Sequence, residues 1–422
     1  MTDPDPNLPP PVASPRSSRG PGVKRPADDS HPAAPPRWRE AVVWMALGLT
    51  TWIVAGLLGR APGLVERVYA SGVGPIVAVT LSRLTGLLPL SVAEWLVAGF
   101  AGWTVAAAVG GVRDARAGRR SWGRVLVAGA LRLGRDAGVI VTLFYLFWGF
   151  NYARAPLDVR LGWPGWEGMS PERVEAAAVE LIDATNDAYL AIHDTADAGV
   201  PTTLPVGRRQ LSRTLETGWE RARVALDLPG SVAWRFGPVK PLLSSPVFAR
   251  LGITGIYFPF TGEANVRTGL PAVAAPLTAA HEQAHQRGIA VEAEASFLGY
   301  LAAALSGQPH ARYSALVFAQ TVVLNGLARR DPERWRRLVE GRLPGVRRDI
   351  EDLRAYYARF RGVGTRVGSA VNDRFLRANR IEEGVLNYGL AGRLILTWSV
   401  VNGGSVVPEL PATRSPEPGV GR

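Results

Sequence analysis

Two histidines and a glutamate in the run His281-Glu282-Gln283-Ala284-His285 have residue types and a spacing suited to metal chemistry. Residues four apart lie on one face of an α-helix, so both imidazoles can bind the same ion. Glu282 then lies beside that ion, where it can act as a general base on a water, as in HExxH zinc peptidases. Pro276 near the start and Gly288 after the end predict a helix over residues 276–287 that carries the run.

The third ligand that a catalytic zinc needs is not fixed by this run. Gly288 allows the chain to turn back, so the start of the next predicted helix, residues 291–306, can approach the ion. That start carries Glu292 and Glu294. His310 competes with them, but it lies beyond this helix next to a proline, a position that favours a surface loop. The residues themselves leave Glu292 and Glu294 open as alternatives.

The composition excludes several kinds of chemistry. None of the 422 residues is cysteine, so disulfides, Cys-ligated zinc, iron–sulfur clusters and thiol catalysis are all excluded. The chain has 48 Lys and Arg against 36 Asp and Glu, a formal charge of +12. Much of this basic excess flanks apolar stretches, and no aromatic stacking platform accompanies it. We therefore predict a lipid bilayer, and not nucleic acid, as a partner.

A membrane region is predicted over residues 38–152. Apolar stretches long enough to cross about 30 Å of hydrocarbon predict three transmembrane helices, over residues 41–59, 93–112 and 136–152. The segment 71–91 is also apolar, but Arg83 and Pro89 interrupt it. We expect this segment to be re-entrant or interfacial.

The arginines beside these helices predict the orientation of the chain. The tail before residue 38 and the loop 113–135 are both rich in arginine, and the positive-inside rule puts both on the cytoplasmic side. Three crossings then place everything after residue 152 outside the cytoplasm. The segments 1–37 and 403–422 are predicted to be flexible tails, because they have too little apolar surface to fold.

Residues 153–402 are predicted to form a mainly helical domain with a small edge sheet. Amphipathic helical stretches dominate, but residues 251–260 combine β-branched and aromatic residues with Gly and Pro, which predicts a strand. Pro259 favours a sheet edge. An edge strand beside an active-site helix can bind a peptide substrate by strand addition. The residues suited to this role are Gly255, Ile256, Tyr257 and Phe258.

Other polar residues are candidates for supporting roles. Glu263 and Asn265 lie in a predicted Gly-containing turn and can orient a ligating imidazole. Asn379 and Tyr388 can stabilise an oxyanion, and Arg267 can line the site.

Longer segments resemble the DUF3810 family of bacterial membrane proteins, whose members carry a zincin-like motif. The similar segments are residues 144–152, 256–265, 276–288, 294–297, 372–379 and 384–389. Ser296 and Arg380 stand where the family usually has Asn and Gly, and neither is a proposed ligand. The resemblance implies a gluzincin-like domain in which Glu294 is the third ligand of Zn²⁺.

The sequence thus predicts a mainly α protein in which N-terminal transmembrane helices precede a zincin-like α+β domain. The expected function is that of a membrane-anchored zinc metallopeptidase that hydrolyses peptide bonds, with Glu282 as the base. The expected ligands are His281, His285 and Glu294. A non-catalytic zinc-binding adaptor or sensor at the membrane is the alternative. The resemblance supplies no substrate.

Overall fold

The computed structural model describes residues 37–165, 168–379, 381 and 390–410, and it is mainly helical. Its longer helices in chain order are α1 (Arg37–Leu58), α2 (Pro62–Gly86), α3 (Val92–Arg116), α4 (Trp122–Phe147), α5 (Pro171–Leu190), α6 (Arg208–Ala225), α7 (Ser245–Arg250), α8 (Ala275–Gln286), α9 (Glu292–Ala304), α10 (Pro309–Arg330), α11 (Pro332–Glu340), α12 (Pro344–Ala358), α13 (Val363–Ala378) and α14 (Ala391–Val401). Shorter helical turns are Gly149–Ala153, Leu157–Arg160 and Gly230–Ala233. Apolar N-terminal helices precede a mainly helical domain with a small sheet, which confirms the predicted fold class.

Within the described part of the chain, three helices are long and apolar enough to cross a membrane, and they indicate a membrane protein. They are Trp38–Leu58, Pro62–Gly86 and Val92–Arg116. The first covers the predicted span 41–59 up to residue 58, and the third contains the whole predicted span 93–112. The segment 71–91, predicted to be interfacial, falls mainly in α2. The predicted span 136–152 falls in α4 and the turn after it, and the middle of α4 carries Arg132, Arg135 and Asp136.

Helix α2 differs from the other apolar helices because it contacts the domain near both of its ends. Near its start, Glu66 accepts hydrogen bonds from the Arg154 guanidinium at 2.7 and 2.8 Å. Near its end, the Ser82 hydroxyl accepts from the Gly237 N–H at 2.7 Å, and the Thr85 hydroxyl donates to the Thr261 carbonyl at 3.0 Å. About a third of the residues in the most apolar 18-residue stretch of α2 are buried, whereas none are buried in the most apolar stretch of α3.

Helices α1 and α4 pack closely through glycines and run parallel, since Trp52 and Gly56 near the end of α1 line the same pocket as Tyr145 near the end of α4. A Cβ at Gly134 would lie 2.5 Å from Met45 Sδ, and one at Gly138 would lie 2.2 Å from the Trp44 carbonyl oxygen. A Cβ at Gly48 would in turn meet the Gly138 backbone at 2.8 Å. Small residues permit such close backbone approach between membrane helices. The start of α1 and the start of α4 therefore lie at the same end of this pair.

A buried ion pair joins the domain to the turn between α2 and α3. The Lys240 ammonium contacts the Glu263 carboxylate and also donates to the carbonyls of Thr85 and Leu90 at 2.6 and 3.0 Å. Glu263 accepts from the first two N–H groups of α3 at 3.0 and 2.7 Å. The lysine thus lies at the C-terminal end of α2 and the glutamate at the N-terminal end of α3, where the helix dipoles favour a positive and a negative charge, respectively.

The sheet contains β1 (Lys240–Leu242), β2 (Gly255–Phe258) and β3 (Glu263–Arg267), in the order β1-β3-β2. β1 is parallel to β3, and β2 is antiparallel to it. Strand β2 is therefore an edge strand, as the sequence predicted. Glu263 and Asn265 lie in the central strand and not in a turn, because the chain reverses before them at Gly262, whose φ is +65°.

Helix α9 forms the centre of the domain core, since all of its residues are buried. It lies against α8 at a very short distance: a Cβ at Gly299 would meet the His281 backbone nitrogen at 3.1 Å. Ala280 and Ala284 of α8 are also fully buried, and they share one core cluster with Ala295 and Leu298 of α9. Small side chains therefore bring the two helices close enough for their polar side chains to meet.

Candidate metal centre

Three side chains from α8 and α9 converge on one point. The Nε2 atoms of His281 and His285 lie 3.1 Å apart, and the Oε2 atom of Glu292 lies 3.1 Å from the first and 3.4 Å from the second. Ligand atoms at the vertices of a tetrahedron around zinc are separated by roughly 3.3 Å when the bonds are ~2.05 Å. The residues present therefore fit a metal ion of this size, and Glu292 completes the cluster.

Both imidazoles are oriented by hydrogen bonds to their other nitrogen. His285 Nδ1 lies 2.7 Å from the Ile289 carbonyl, which can only accept, so Nδ1 carries a proton and Nε2 is the nitrogen that faces the cluster. His281 Nδ1 lies 3.2 Å from the Ser296 hydroxyl. Such outer contacts fix the tautomer and ring orientation of metal-binding histidines. Ser296 is thus a supporting residue that the sequence had treated only as a departure from a family pattern.

Glu294, the third ligand implied by the resemblance, is not in this cluster. Its carboxylate accepts from the Arg160 guanidinium at 2.7 Å and from the Leu157 N–H at 2.8 Å. Residues two apart on a helix project about 200° apart, so Glu292 and Glu294 cannot both face α8. The close packing of α9 on α8 puts Glu292 on the inner face. Glu294 instead binds the start of the short helix Leu157–Arg160.

Glu282 lies buried beside the cluster, against the edge strand. Burial raises the pKa of Glu282 to about 7, although the two neighbouring imidazoles and a hydrogen bond from the Tyr257 backbone act in the opposite direction. Its Oε2 atom has no hydrogen-bond partner among the described residues. Gly255 leaves the space that this carboxylate occupies, because a Cβ there would lie 2.5 Å from Oε1.

The charges of the cluster attract one another strongly. Burial alone lowers the pKa of His285, but the adjacent Glu292 carboxylate outweighs it and raises that pKa to about 9. Burial acts to raise the pKa of Glu292, yet the two imidazoles hold it well below its usual range. A buried carboxylate that faces two imidazole nitrogens is stabilised by a cation, either protons on the rings or a metal ion.

Side chains of α8, and Arg287 directly after it, point away from the cluster of His281, His285 and Glu292 and fix the helix in place. Gln283 accepts from the Trp219 indole N–H at 3.0 Å, and Gln286 donates to the Ser82 hydroxyl of α2 at 2.7 Å. The fully buried Arg287 side chain pairs with Glu216 at 2.6 Å. These contacts make α8 rigid on the sides that do not carry ligands.

The chain segment that leaves α4 closes around the end of α8. The Trp148 indole donates to the His285 carbonyl at 2.9 Å, and Arg154 donates to the Gly288 carbonyl at 3.1 Å. Gly288 has a φ of +79°, the left-handed conformation expected of a residue that ends a helix. A side chain there would also meet the Asn151 amide at 3.1 Å. The membrane-proximal segment thus holds the ligand helix directly.

The remaining sequence candidates lie elsewhere. The side-chain amide oxygen of Asn379 accepts a hydrogen bond from the Tyr145 hydroxyl at 3.2 Å. Tyr388 lies outside the described residues. His310 lies in the first turn of α10, close to Gln308. Tyr152, the last residue of the predicted span 136–152, is a neighbour of the cluster that the sequence did not single out. Burial, and then the Glu292 carboxylate, raise the pKa of its hydroxyl.

The contact between Gly255 and Glu282 predicts the outcome of a double-mutant cycle. Gly255→Ala places a methyl group on the carboxylate, and we expect a loss of about 1 to 3 kcal/mol in the free energy of unfolding. Glu282→Ala in the same chain removes the overlap, so the double variant should regain most of that loss. Chemical denaturation of wild type, the two single variants and the double variant measures these free energies of unfolding. Gly99→Ala, a site with nothing within 4 Å, is the control. Additive losses would contradict the contact.

Comparisons with known proteins point to one family. No curated protein and no solved structure matches the chain. Residues 69–396 match the family described as "Protein of unknown function (DUF3810)", and this match covers α3 to α13 completely, most of α2 and the start of α14. Because the match extends over far more than half of the 422 residues, the chain belongs to the DUF3810 family.

Proposed function

We propose that this protein is a membrane-anchored, zinc-dependent metallopeptidase. The observation that carries the proposal is the convergence of His281, His285 and Glu292 at 3.1 to 3.4 Å. The Glu282 carboxylate lies beside them, and its Oε2 atom has no hydrogen-bond partner among the described residues. Two histidines and one glutamate are the protein ligands of the thermolysin type of zinc site, and this set leaves a fourth position for water or substrate. The zincin-like reading of the sequence is thus supported with Glu292, and not Glu294, as the third ligand.

Each residue then has a defined role. A bound zinc ion supplies Lewis acidity, which polarises the scissile carbonyl and makes a water more acidic. Glu282 accepts the proton of the attacking water and can pass it to the leaving amine. A carboxylate with a pKa of about 7 is suited to both transfers at neutral pH.

The edge strand β2 is the proposed substrate-binding element. Its residues Gly255–Phe258 lie at the edge of the sheet, and Gly255 contacts the Glu282 carboxylate. An extended peptide that pairs with this edge would therefore run past the metal cluster. Main-chain pairing of this kind binds a peptide without regard to most of its side chains.

Helix contacts support a location of the domain outside the cytoplasm. The domain meets α3 at its first turn, where Glu94 accepts from the Leu243 and Ser244 N–H groups at 2.8 and 2.7 Å. It meets α4 at its last turn through Trp148. The arginines at the end of α3 and in the loop before α4 are thus at the far end of both helices. The basic start of α1 lies at that end too, because α1 and α4 are parallel.

Helix α2 fits this topology as an interfacial segment, since both of its ends contact the domain. Crossings by α1, α3 and α4 then carry the chain from the cytoplasm to the outer face of the membrane. The Arg135–Asp136 ion pair offsets part of the charge that α4 brings to the bilayer.

A second candidate function is that of a zinc-binding adaptor or sensor without turnover. One observation favours it: the side chains of His281, His285 and Glu292 are only 15, 8 and 10% exposed. A site this enclosed has to open before a protein substrate can reach it.

Metal analysis separates the two acidic ligand candidates. Glu292→Gln removes the charge of a ligand, and we expect zinc affinity to fall by at least about 10-fold. Mutation of residues that only hydrogen-bond to a ligand already costs about 10- to 100-fold in affinity. Glu294→Gln should retain stoichiometric zinc but unfold more easily, because it leaves Arg160 buried without its carboxylate. Elemental analysis and competition with a chelator measure the affinity. Loss of zinc in Glu294→Gln with retention in Glu292→Gln would refute this assignment.

A comparison of wild type with Glu282→Gln tests catalysis itself. The glutamine keeps the shape of the side chain but cannot accept the proton, so cleavage of a peptide library should fall by roughly 10² to 10⁴-fold. The zinc content should stay at wild-type level. Cleavage products are identified by mass spectrometry in full-length protein held in nanodiscs. Stoichiometric zinc without any Glu282-dependent cleavage would favour the adaptor or sensor.

The absence of cysteine makes the topology directly measurable by single-cysteine labelling. We expect Leu88→Cys and Val159→Cys, both at exposed positions, to react with a membrane-impermeant maleimide in intact cells. Arg119→Cys should react only after the cells are permeabilised. A fourth crossing by α2 would reverse the labelling of all three positions and place the domain in the cytoplasm.

A further inference from the structure

A basic pocket of about 720 Å³ lies between β3, α7 and the end of α12. Four arginines line it, namely Arg250, Arg267, Arg359 and Arg361. None of the described lining residues is acidic. A concave surface with charge of one sign concentrates ions of the opposite sign.

Arg267 is the anchor of this pocket because its charge is buried and no described residue that lines the pocket is acidic. It is 3% exposed, and its Nε and Nη1 atoms have no hydrogen-bond partner in the described part of the chain. Its guanidinium lies over the rings of Tyr356 and Phe360, 5.2 and 5.0 Å from their centroids. The rings stabilise the cation but satisfy no N–H group. Buried donors left unpaired are costly, so the site is incomplete without an acceptor.

The other buried cations among the described residues have polar partners, which the Nε and Nη1 atoms of Arg267 lack; Arg342, for example, donates to Gln320 Oε1 at 2.8 Å. Arg287 pairs with Glu216, and Lys240 pairs with Glu263. Arg267 projects from the face of β3 opposite Ala264 and Val266, which join the main core. The pocket is therefore separate from the metal cluster and does not depend on the proposed peptidase function.

Two features place the pocket beside the membrane. Ser245 lines it, and the preceding Ser244 N–H is bound by Glu94 in the first turn of the apolar helix α3. Beyond Arg361, α13 presents a stripe of outward-facing valines, Val363, Val367 and Val371, which are 68, 51 and 62% exposed. The neighbouring side of α13, roughly 80° around the helix, is held by glycines, since Gly364 and Gly368 pack on the backbone of α7 and Leu251. An apolar stripe next to basic residues is typical of a helix at a lipid interface.

We propose that this pocket binds a phosphate group, and that an anionic phospholipid head group supplies it. Arg267 donates hydrogen bonds to the phosphate oxygens from the floor of the pocket, and the exposed Arg250, Arg359 and Arg361 add charge at its mouth. The acyl chains of the lipid extend along the valine stripe of α13. A bound lipid then holds α7 and α13, and through Ser244 the start of α3, at the bilayer surface.

The test uses full-length protein in nanodiscs of phosphatidylcholine, with and without phosphatidylglycerol. Native mass spectrometry measures retained lipid, and a titration with inorganic phosphate in phosphatidylcholine alone measures the free ion. We expect selective retention of phosphatidylglycerol, reduced about 10-fold or more by Arg267→Met, which keeps an apolar stem between the two rings. Arg347→Met, at an exposed arginine of α12 outside the pocket, is the matched control and should leave retention unchanged.

Two further measurements distinguish binding from a structural role. Without an anionic ligand, Arg267→Met should unfold at the same or a higher temperature than wild type, because it removes unpaired buried donors. A purely structural arginine would give a lower temperature. The exposed pair Arg359→Gln and Arg361→Gln should weaken lipid retention while folding normally.

The outcomes assign the ligand. Arg267-dependent binding of phosphatidylglycerol supports the lipid site. Arg267-dependent binding of inorganic phosphate without lipid preference supports the phosphate site but overturns its lipid source. Lipid retention that Arg267→Met does not change, or no binding of either probe, overturns the proposal.

Discussion

The separation of 3.1 Å between the two imidazole Nε2 atoms is the constraint on which the candidate centre depends. Two ring nitrogens and a carboxylate can remain this close only if other contacts fix the orientation of each side chain. The Ile289 carbonyl and the Ser296 hydroxyl hold the rings, and the packing of α9 on α8 holds Glu292. Gly299 permits that packing, because any side chain there would push His281 away. The centre is thus a property of two helices in contact, and neither helix would form it alone.

The membrane segments and the domain are parts of one structure. Trp148 and Arg154, which follow α4, bind the end of the ligand helix, while Gln286 of that helix reaches back to Ser82 in α2. The Lys240–Glu263 pair lies at the turn between α2 and α3 and places opposite charges on the two helix ends. Both charged groups are buried away from water, so their contribution to stability depends on the several hydrogen bonds that each of them makes. Direct hydrogen bonds therefore connect α2 and the segment after α4 with the end of α8.

The polar face of the small sheet shows how differently buried charges can be treated in one fold. Glu263 and Arg267 project from the same face of β3, at its two ends. The first is saturated by backbone N–H groups and a lysine, whereas the second is left with donors that the described residues do not meet. Sites that accept such a cost are commonly the ones at which a protein binds something. Strand β3 thus supports the membrane junction at one end and a basic pocket at the other.

The sequence by itself determined the local elements of the centre. The i, i+4 histidines place two imidazoles on one helical face, Gly288 ends that helix, and the Gly and Pro residues around β2 mark an edge strand. Family resemblance also singled out the segment 144–152, which contains Trp148. These features follow from helix periodicity and backbone geometry, which act over a few residues.

Only the tertiary structure decided which partners those elements meet. Glu292 and Glu294 are equivalent in sequence, and the rotation of α9, set by core packing on several sides, turns Glu292 toward the histidines. The contacts of α2 with the domain at both ends depend on residues 88 to 204 positions away in the chain, as in Glu66–Arg154 and Ser82–Gln286. Arg267 reads as a site-lining residue in the sequence, yet strand alternation sends it to the opposite face. Long-range packing decided these points, because residues distant in the chain leave no local pattern.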